Sequence, residues 1–155
     1  VLTGAGGESS IIWGKTEMLS ASRSKAMVLV VEDDDVTCEL LTQLLLTSGF
    51  DVVAAPTGEW ALLALCQHSE EIDWLVSKVS LPGLVCGWIL ADEYRQHHPD
   101  RPVILIPPIF ELTKMSSGQV VFVPPGAPMR VLEVLQALRT PETACVLSFR
   151  EAKAA

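Results

Sequence analysis

Four consecutive acidic residues, Glu32-Asp33-Asp34-Asp35, follow directly on the apolar run at 27–31. Carboxylates are stabilised at a helix N-terminus, and Asp34 and Asp35 suit the cap of the helix that the next residues predict. Glu32 and Asp33 come straight off the apolar run and read instead as part of a pocket. Four cysteines (Cys38, Cys66, Cys86, Cys145) and three histidines (His68, His97, His98) could supply metal or thiol chemistry. No two cysteines form a C-x-x-C pair, and no histidine stands at ligand spacing from them, so free thiols in small apolar surroundings are expected. Thr3-Gly4-Ala5-Gly6-Gly7 is similar to the glycine turn of nucleotide-binding folds. That turn needs a strand before it and an acidic residue after a second strand, and only Val1-Leu2 precede it.

The elements that must position these residues alternate regularly. Short apolar runs at 27–31, 51–55, 73–77, 102–106 and 120–123 have the character of buried parallel strands. Between them lie amphipathic stretches. The first helix is expected from Asp34 or Asp35 to about Ser48, with Val36, Leu40, Leu41, Leu44 and Leu45 on its inner stripe and Gly49 at its end. Others are expected over 58–68, up to His97 where Pro99 enforces a stop, weakly over 110–116, and from the first-turn proline Pro128 to Arg139. Tandem β/α units of this kind imply a parallel sheet covered on both faces. Residues 1–26 read as a leader, a linker from an upstream domain or residues left from cloning. Residues 27–139 are the domain, and 140–155 a tail, helical or extended.

The bulk properties bound the function. A chain of 155 residues can bury one continuous core, and 49% apolar residues exclude a disordered tail. The net charge of −8, with no Lys/Arg cluster, argues against nucleic acid. No apolar run approaches the ~20 residues of a membrane span. The unpaired cysteines point to a reducing cytoplasm.

In an open parallel sheet, functional groups gather at the carboxyl ends of the strands. Those ends carry Glu32-Asp33, Lys78, Pro107 and Pro124. With Val-Leu-Val-Val-Glu-Asp-Asp-Asp at 28–35, Thr-Ser-Gly-Phe-Asp-Val-Val at 47–53, Pro-Thr-Gly-Glu-Trp-Ala-Leu at 56–62, Leu-Pro-Gly at 81–83 and Pro-Asp-Arg-Pro-Val-Ile-Leu-Ile at 99–106, the chain resembles the receiver domains of two-component response regulators. The resemblance covers about 27–139. It implies a flavodoxin-like, doubly wound (βα)5 fold with strand order 2-1-3-4-5.

It also implies a chemistry: an acidic pair that binds Mg²⁺, an aspartate after the third strand that accepts phosphate, and a hydroxyl and a lysine that hold the phosphoryl oxygens. The acidic pair falls on Glu32 and Asp33. Counting from the Leu81-Pro82-Gly83 turn, the acceptor position falls on Lys78. The hydroxyl position falls on Pro107, the lysine position on Pro124, and an aromatic position on Val121. An ammonium cannot form an acyl phosphate. At ~4 Å and an effective dielectric near 20, it attracts each carboxylate by about 4 kcal/mol before desolvation. The Mg²⁺ site is therefore expected to be lost to an internal ion pair, with no cofactor. The prolines stiffen loops that normally move, and the family pattern implies a cis Pro124–Pro125 bond.

The expected function is a receiver-like module, not an enzyme, that signals by protein–protein contact without phosphorylation. A histidine kinase, another signalling domain or a second copy would be the partner. Trp60, Leu63 and Ile89, with Leu46, fall where receivers usually carry charge and are candidates for the docking patch. A rival location is the face of the helices at 110–116 and 128–139. Two alternatives remain: phosphorylation at a non-standard residue such as Ser77 or Ser80, and a small nucleotide-binding protein.

Overall fold

The computed structural model describes residues 25–108 and 120–139. The chain runs β1 (Met27–Val31), α1 (Asp35–Thr47), β2 (Asp51–Ala55), α2 (Gly58–His68), β3 (Trp74–Lys78), α3 (Gly87–His97), β4 (Val103–Ile106), β5 (Val120–Phe122) and α4 (Pro128–Arg139). All strand pairings are parallel, in the order β2-β1-β3-β4-β5. This is the doubly wound, flavodoxin-like arrangement expected from the sequence. The helix expected over 110–116, the glycine run at 3–7, Cys145 and the 140–155 tail lie outside the described residues. No described helix is long and apolar enough to cross a membrane.

Strand side chains alternate between two cores because successive residues point to opposite faces. Met27, Leu29 and Val31 of β1 pack with Ala61 and Leu65 of α2 and Leu90 and Tyr94 of α3. Val28 and Val30 pack with Leu41 and Leu45 of α1 and Val131 and Leu135 of α4. Every residue of β1 is buried, as a central parallel strand requires.

Four expectations need correction. β3 begins and ends one residue later than the apolar run suggested, so Lys78 is its last residue rather than the first of the loop. Strand pairing of Lys78 with Ile106 of β4 draws it into the sheet. The inner stripe of α1 is narrower than expected. Leu41 and Leu45 are buried, but Val36 is 75% exposed and Leu40 49%, because at 3.6 residues per turn both stand about 100° or more around the helix from Leu41. Leu46, expected on the surface, is half-buried against the α1/α4 core. No described peptide bond is cis, so Pro124–Pro125 is trans. The trans form is the lower-energy one even before proline, and the reversal into α4 is made by Gly126 at φ 73°.

α3 is seated on β3 by a close backbone approach. A Cβ on Gly87 would lie 2.2 Å from the Lys78 carbonyl oxygen, and the Gly87 N–H donates to the Val79 carbonyl at 3.0 Å. No side chain can yield there, because the obstruction is backbone. Gly87→Ala should therefore cost about 1–3 kcal/mol, the range for overpacking, read as a lowered urea midpoint. An unchanged midpoint would show that α3 does not need this contact.

Candidate functional site

The carboxyl ends of β1, β3 and β4 open into a cleft of about 560 Å³. Its acidic part is built by the turn from β1 into α1. The Glu32 N–H donates to the Ala55 carbonyl at 3.2 Å, which holds Glu32 in line with the strand, and its residue is only 5% exposed. Glu32 Oε1 accepts the Asp34 N–H at 3.0 Å. Asp34 in turn caps α1, accepting from the Thr37 N–H at 2.8 Å and the Thr37 hydroxyl at 2.6 Å. The Thr37 hydroxyl, and then its N–H, holds the Asp34 carboxyl below its ordinary range. Asp33 points out of this turn toward β3.

Lys78 meets it there. Its Nζ donates to Asp33 Oδ1 at 2.7 Å and lies 3.5 Å from Glu32 Oε1. The hydrogen bond from Lys78 pulls the Asp33 carboxyl below the usual range, and the same bond raises the Lys78 ammonium. Glu32 moves the other way: burial dominates and pushes its carboxyl up, against the Asp34 N–H and the Lys78 charge.

The walls are largely proline. Pro82, Pro107, Pro108, Pro124, Pro125 and Pro128 line the cleft with Leu41, Leu81, Ile106 and Val131. Pro107 is buried and Pro108 exposed. Glu32, Asp33, Lys78, Pro107 and Pro124 are thus brought together at one opening. Ser80 also lines it. Ser77 is fully buried and donates its hydroxyl to the Lys78 carbonyl at 2.8 Å, which takes it out of reach of a modifying enzyme. Val121 packs against the α1/α4 core. The neighbouring aromatic, Phe122, faces the other way and meets Trp88 edge-on with ring centres 5.9 Å apart.

Trp60, Leu63 and Ile89 are exposed, on α2 and α3, away from the cleft. Sequence reasoning missed Leu84, the most exposed large apolar residue described, and Met129 at the start of α4. An apolar residue directly after a turn glycine was the available signal for Leu84. Trp74 opens β3 and lies at the opposite end of the sheet from Lys78, under the Arg101 guanidinium at 5.7 Å. It cannot sense the cleft. Trp88, next to Gly87 and hence to the Lys78 carbonyl, is the closer indole. Among the described residues no group of three His, Cys, Asp or Glu side chains could hold a metal ion.

A five-stranded parallel sheet of this order, with an acidic turn after β1 at its open end, defines a receiver-type α/β domain. Residues 28–110 match the response regulator receiver domain family, and the chain belongs to that family. It is 46% identical over 79 residues to a cyclic di-GMP phosphodiesterase of Thermotoga maritima, and 37% identical over 81 residues to the response regulator protein FleR of Pseudomonas aeruginosa. These alignments cover 51% and 52% of this chain but only 20% and 16% of the relatives, so the chain spans a fifth or less of their length. The receiver domain of the hybrid histidine kinase CckA superposes with a TM-score of 0.58 at 30% identity, over 70% of this chain and 93% of that one. The chain is a receiver domain of the two-component type.

The charges give a signed pH dependence. Asp33 is lowered, so its contribution is present above the ordinary carboxylate range and is lost as pH falls through its lowered value. Lys78 is raised, so its contribution is present below the ordinary lysine range and is lost as pH rises through its raised value. Glu32 is raised, so its ionisation is a cost that is relieved as pH falls through that value. In Lys78→Met, carboxyl-carbon NMR should show Asp33 returning to the ordinary range and Glu32 moving further up. An unmoved Asp33 would mean that the ammonium does not hold it.

Proposed function

We propose that this receiver domain signals by protein–protein contact without accepting phosphate, and that Glu32, Asp33, Lys78, Pro107 and Pro124 are a phosphorylation pocket whose chemistry has been lost. The observation that carries the reading is the ammonium of Lys78, 2.7 Å from Asp33, at the end of β3 where the family resemblance expects the acceptor aspartate. An acyl phosphate needs a carboxylate nucleophile. A lysine attacks phosphorus only through its free amine, and the raised affinity of Lys78 for its proton keeps that lone pair occupied.

The residues present do not fit Mg²⁺ either. The ion takes oxygen ligands in a near-octahedral array. Asp33 is engaged by Lys78, Glu32 by Lys78 and the Asp34 N–H, and the third position offers a positive charge. An internal cation thus neutralises the acidic pair where the family would use an external one. Pro107 and Pro124 supply neither a hydroxyl nor an ammonium to a phosphoryl oxygen. Their fixed φ also restrains the two loops that would report it. In this reading the domain holds one conformation, and its partner is another signalling protein such as a histidine kinase.

Incubation with Mg²⁺ and a small phosphodonor, or with beryllofluoride, should leave the mass and the tryptophan emission of the wild-type chain unchanged. A stable gain of one phosphoryl group would overturn the reading. In Lys78→Asp, Mg²⁺ should raise the thermal midpoint, as it does not in the wild type, because three carboxylates would then converge without the ammonium.

A further inference from the structure

We infer that the amino end of the sheet holds a second site, a basic cleft that binds the phosphoryl group of free phosphate or of a small phosphate monoester. The cleft measures about 350 Å³, inside the range of roughly 300–1,000 Å³ for small-ligand sites. Lys25, Arg101, Arg139 and Asp73 line it, with Trp74 and Leu138 as its apolar side. It lies where β1 and β3 begin and α4 ends, at the far end of the sheet from Lys78. The chain has a net charge of −8, and six Lys and Arg residues are described. Three of the six meet at this one cleft. Lys78, Arg95 and Arg130, the other three, are each engaged by a carboxylate, of Asp33, Asp92 and Glu133 in turn. Among the described residues, ion pairs take those three and Arg101 but neither Lys25 nor Arg139.

Both guanidiniums are set in place by their surroundings. Arg101 Nη1 donates to the Asp73 carbonyl at 3.0 Å and lies 3.3 Å from Asp73 Oδ1. The guanidinium also sits 5.7 Å from the Trp74 ring centre, and its side chain stays 41% exposed. Asp73 is itself held, since Oδ2 accepts the Met27 N–H at 2.8 Å. Arg139 lies over the buried Phe50 ring at 4.7 Å. A guanidinium braced on an aromatic ring gives up little freedom when its fork takes an oxyanion. Charge selects the ligand. Against the three cations stand the Asp73 carboxylate and the carboxyl end of α4, which counts as about half a negative charge, so an excess of about +1.5 remains. Asp51 and Asp100, chain neighbours of Phe50 and Arg101, are not part of the lining. A phosphate monoester carries about −1.5 to −2 at neutral pH and matches that excess, whereas a single carboxylate leaves part of it standing.

The probes are inorganic phosphate and phenyl phosphate, titrated at constant ionic strength and followed by amide NMR of the full chain. Both should shift Lys25, Ala26, Trp74, Arg101 and Arg139. Tighter binding of phenyl phosphate would name the ester as the ligand, and equal binding the free ion. K25Q and R139Q should each weaken binding about tenfold, as loss of a charged hydrogen bond does. R130Q removes a cation from the same helix outside the cleft and should leave binding unchanged. Lys25 and Arg139 are exposed, so neither change should lower the thermal midpoint; if R139Q does so through Phe50, K25Q decides. Equal weakening by R130Q, or equal displacement of phosphate by acetate, would show mere attraction of anions to cations and sink the proposal. Shifts confined to Glu32, Asp33 and Lys78 would overturn it as well. Binding here is reversible and adds no mass, so this cleft and the pocket at Lys78 can fail separately.

Discussion

A carboxylate that is 5% exposed at the end of a buried parallel strand has to be compensated, and everything at the open end of this sheet follows from how Glu32 is compensated. The Asp34 N–H satisfies one oxygen, and that bond shapes the turn that puts Asp34 over the first turn of α1. Lys78 supplies the opposite charge from the neighbouring strand and takes Asp33 as its closer partner. Asp33 and Lys78 shift each other toward ionisation, whereas Glu32 is governed by its burial and resists it. The cluster is therefore one exposed strong pair leaning on one buried weak acid. Removing the ammonium would strand the buried acid, which costs more than the pair itself contributes in net terms.

Around this cluster the cleft is lined by six prolines. Proline ends the β4 side, the β5 side and the entry to α4, and a proline has neither an N–H to donate nor a variable φ. The loop between β3 and α3 is tied at Val79, at Leu84 through Glu59, and at Gly87. A receiver that changes shape on modification needs segments with two arrangements of similar energy. The described β3–α3 loop is fastened at successive points.

Most of the architecture was legible because each strand contains a short apolar run and several helix ends carry start or stop residues. Asp34 and Pro128 mark N-termini that the structure retains, and Pro99 follows the end of α3. The position of Lys78 was reachable by counting from the Leu81-Pro82-Gly83 turn, since a short loop fixes the distance to the strand end. Depth was not legible. Val36 was expected on the inner stripe yet is exposed, whereas Leu46, expected on the surface, is half-buried. The Glu59–Leu84 contact joins residues 25 apart through backbone and side chain, and no pattern in the sequence announces it.

α3 touches β3 at both extremities. At one, Gly87 rests on the Lys78 carbonyl; at the other, the buried Tyr94 hydroxyl donates to the carbonyl of Asp73, the residue just before the strand. Burial, the larger influence on Tyr94, raises its phenol above the ordinary range and so favours the protonated, donating form. Strand and helix are thus a matched pair of fixed length, like a rung cut to its frame. Any change of length between them therefore falls on the 79–86 loop, which the Glu59 carboxylate itself holds at Leu84.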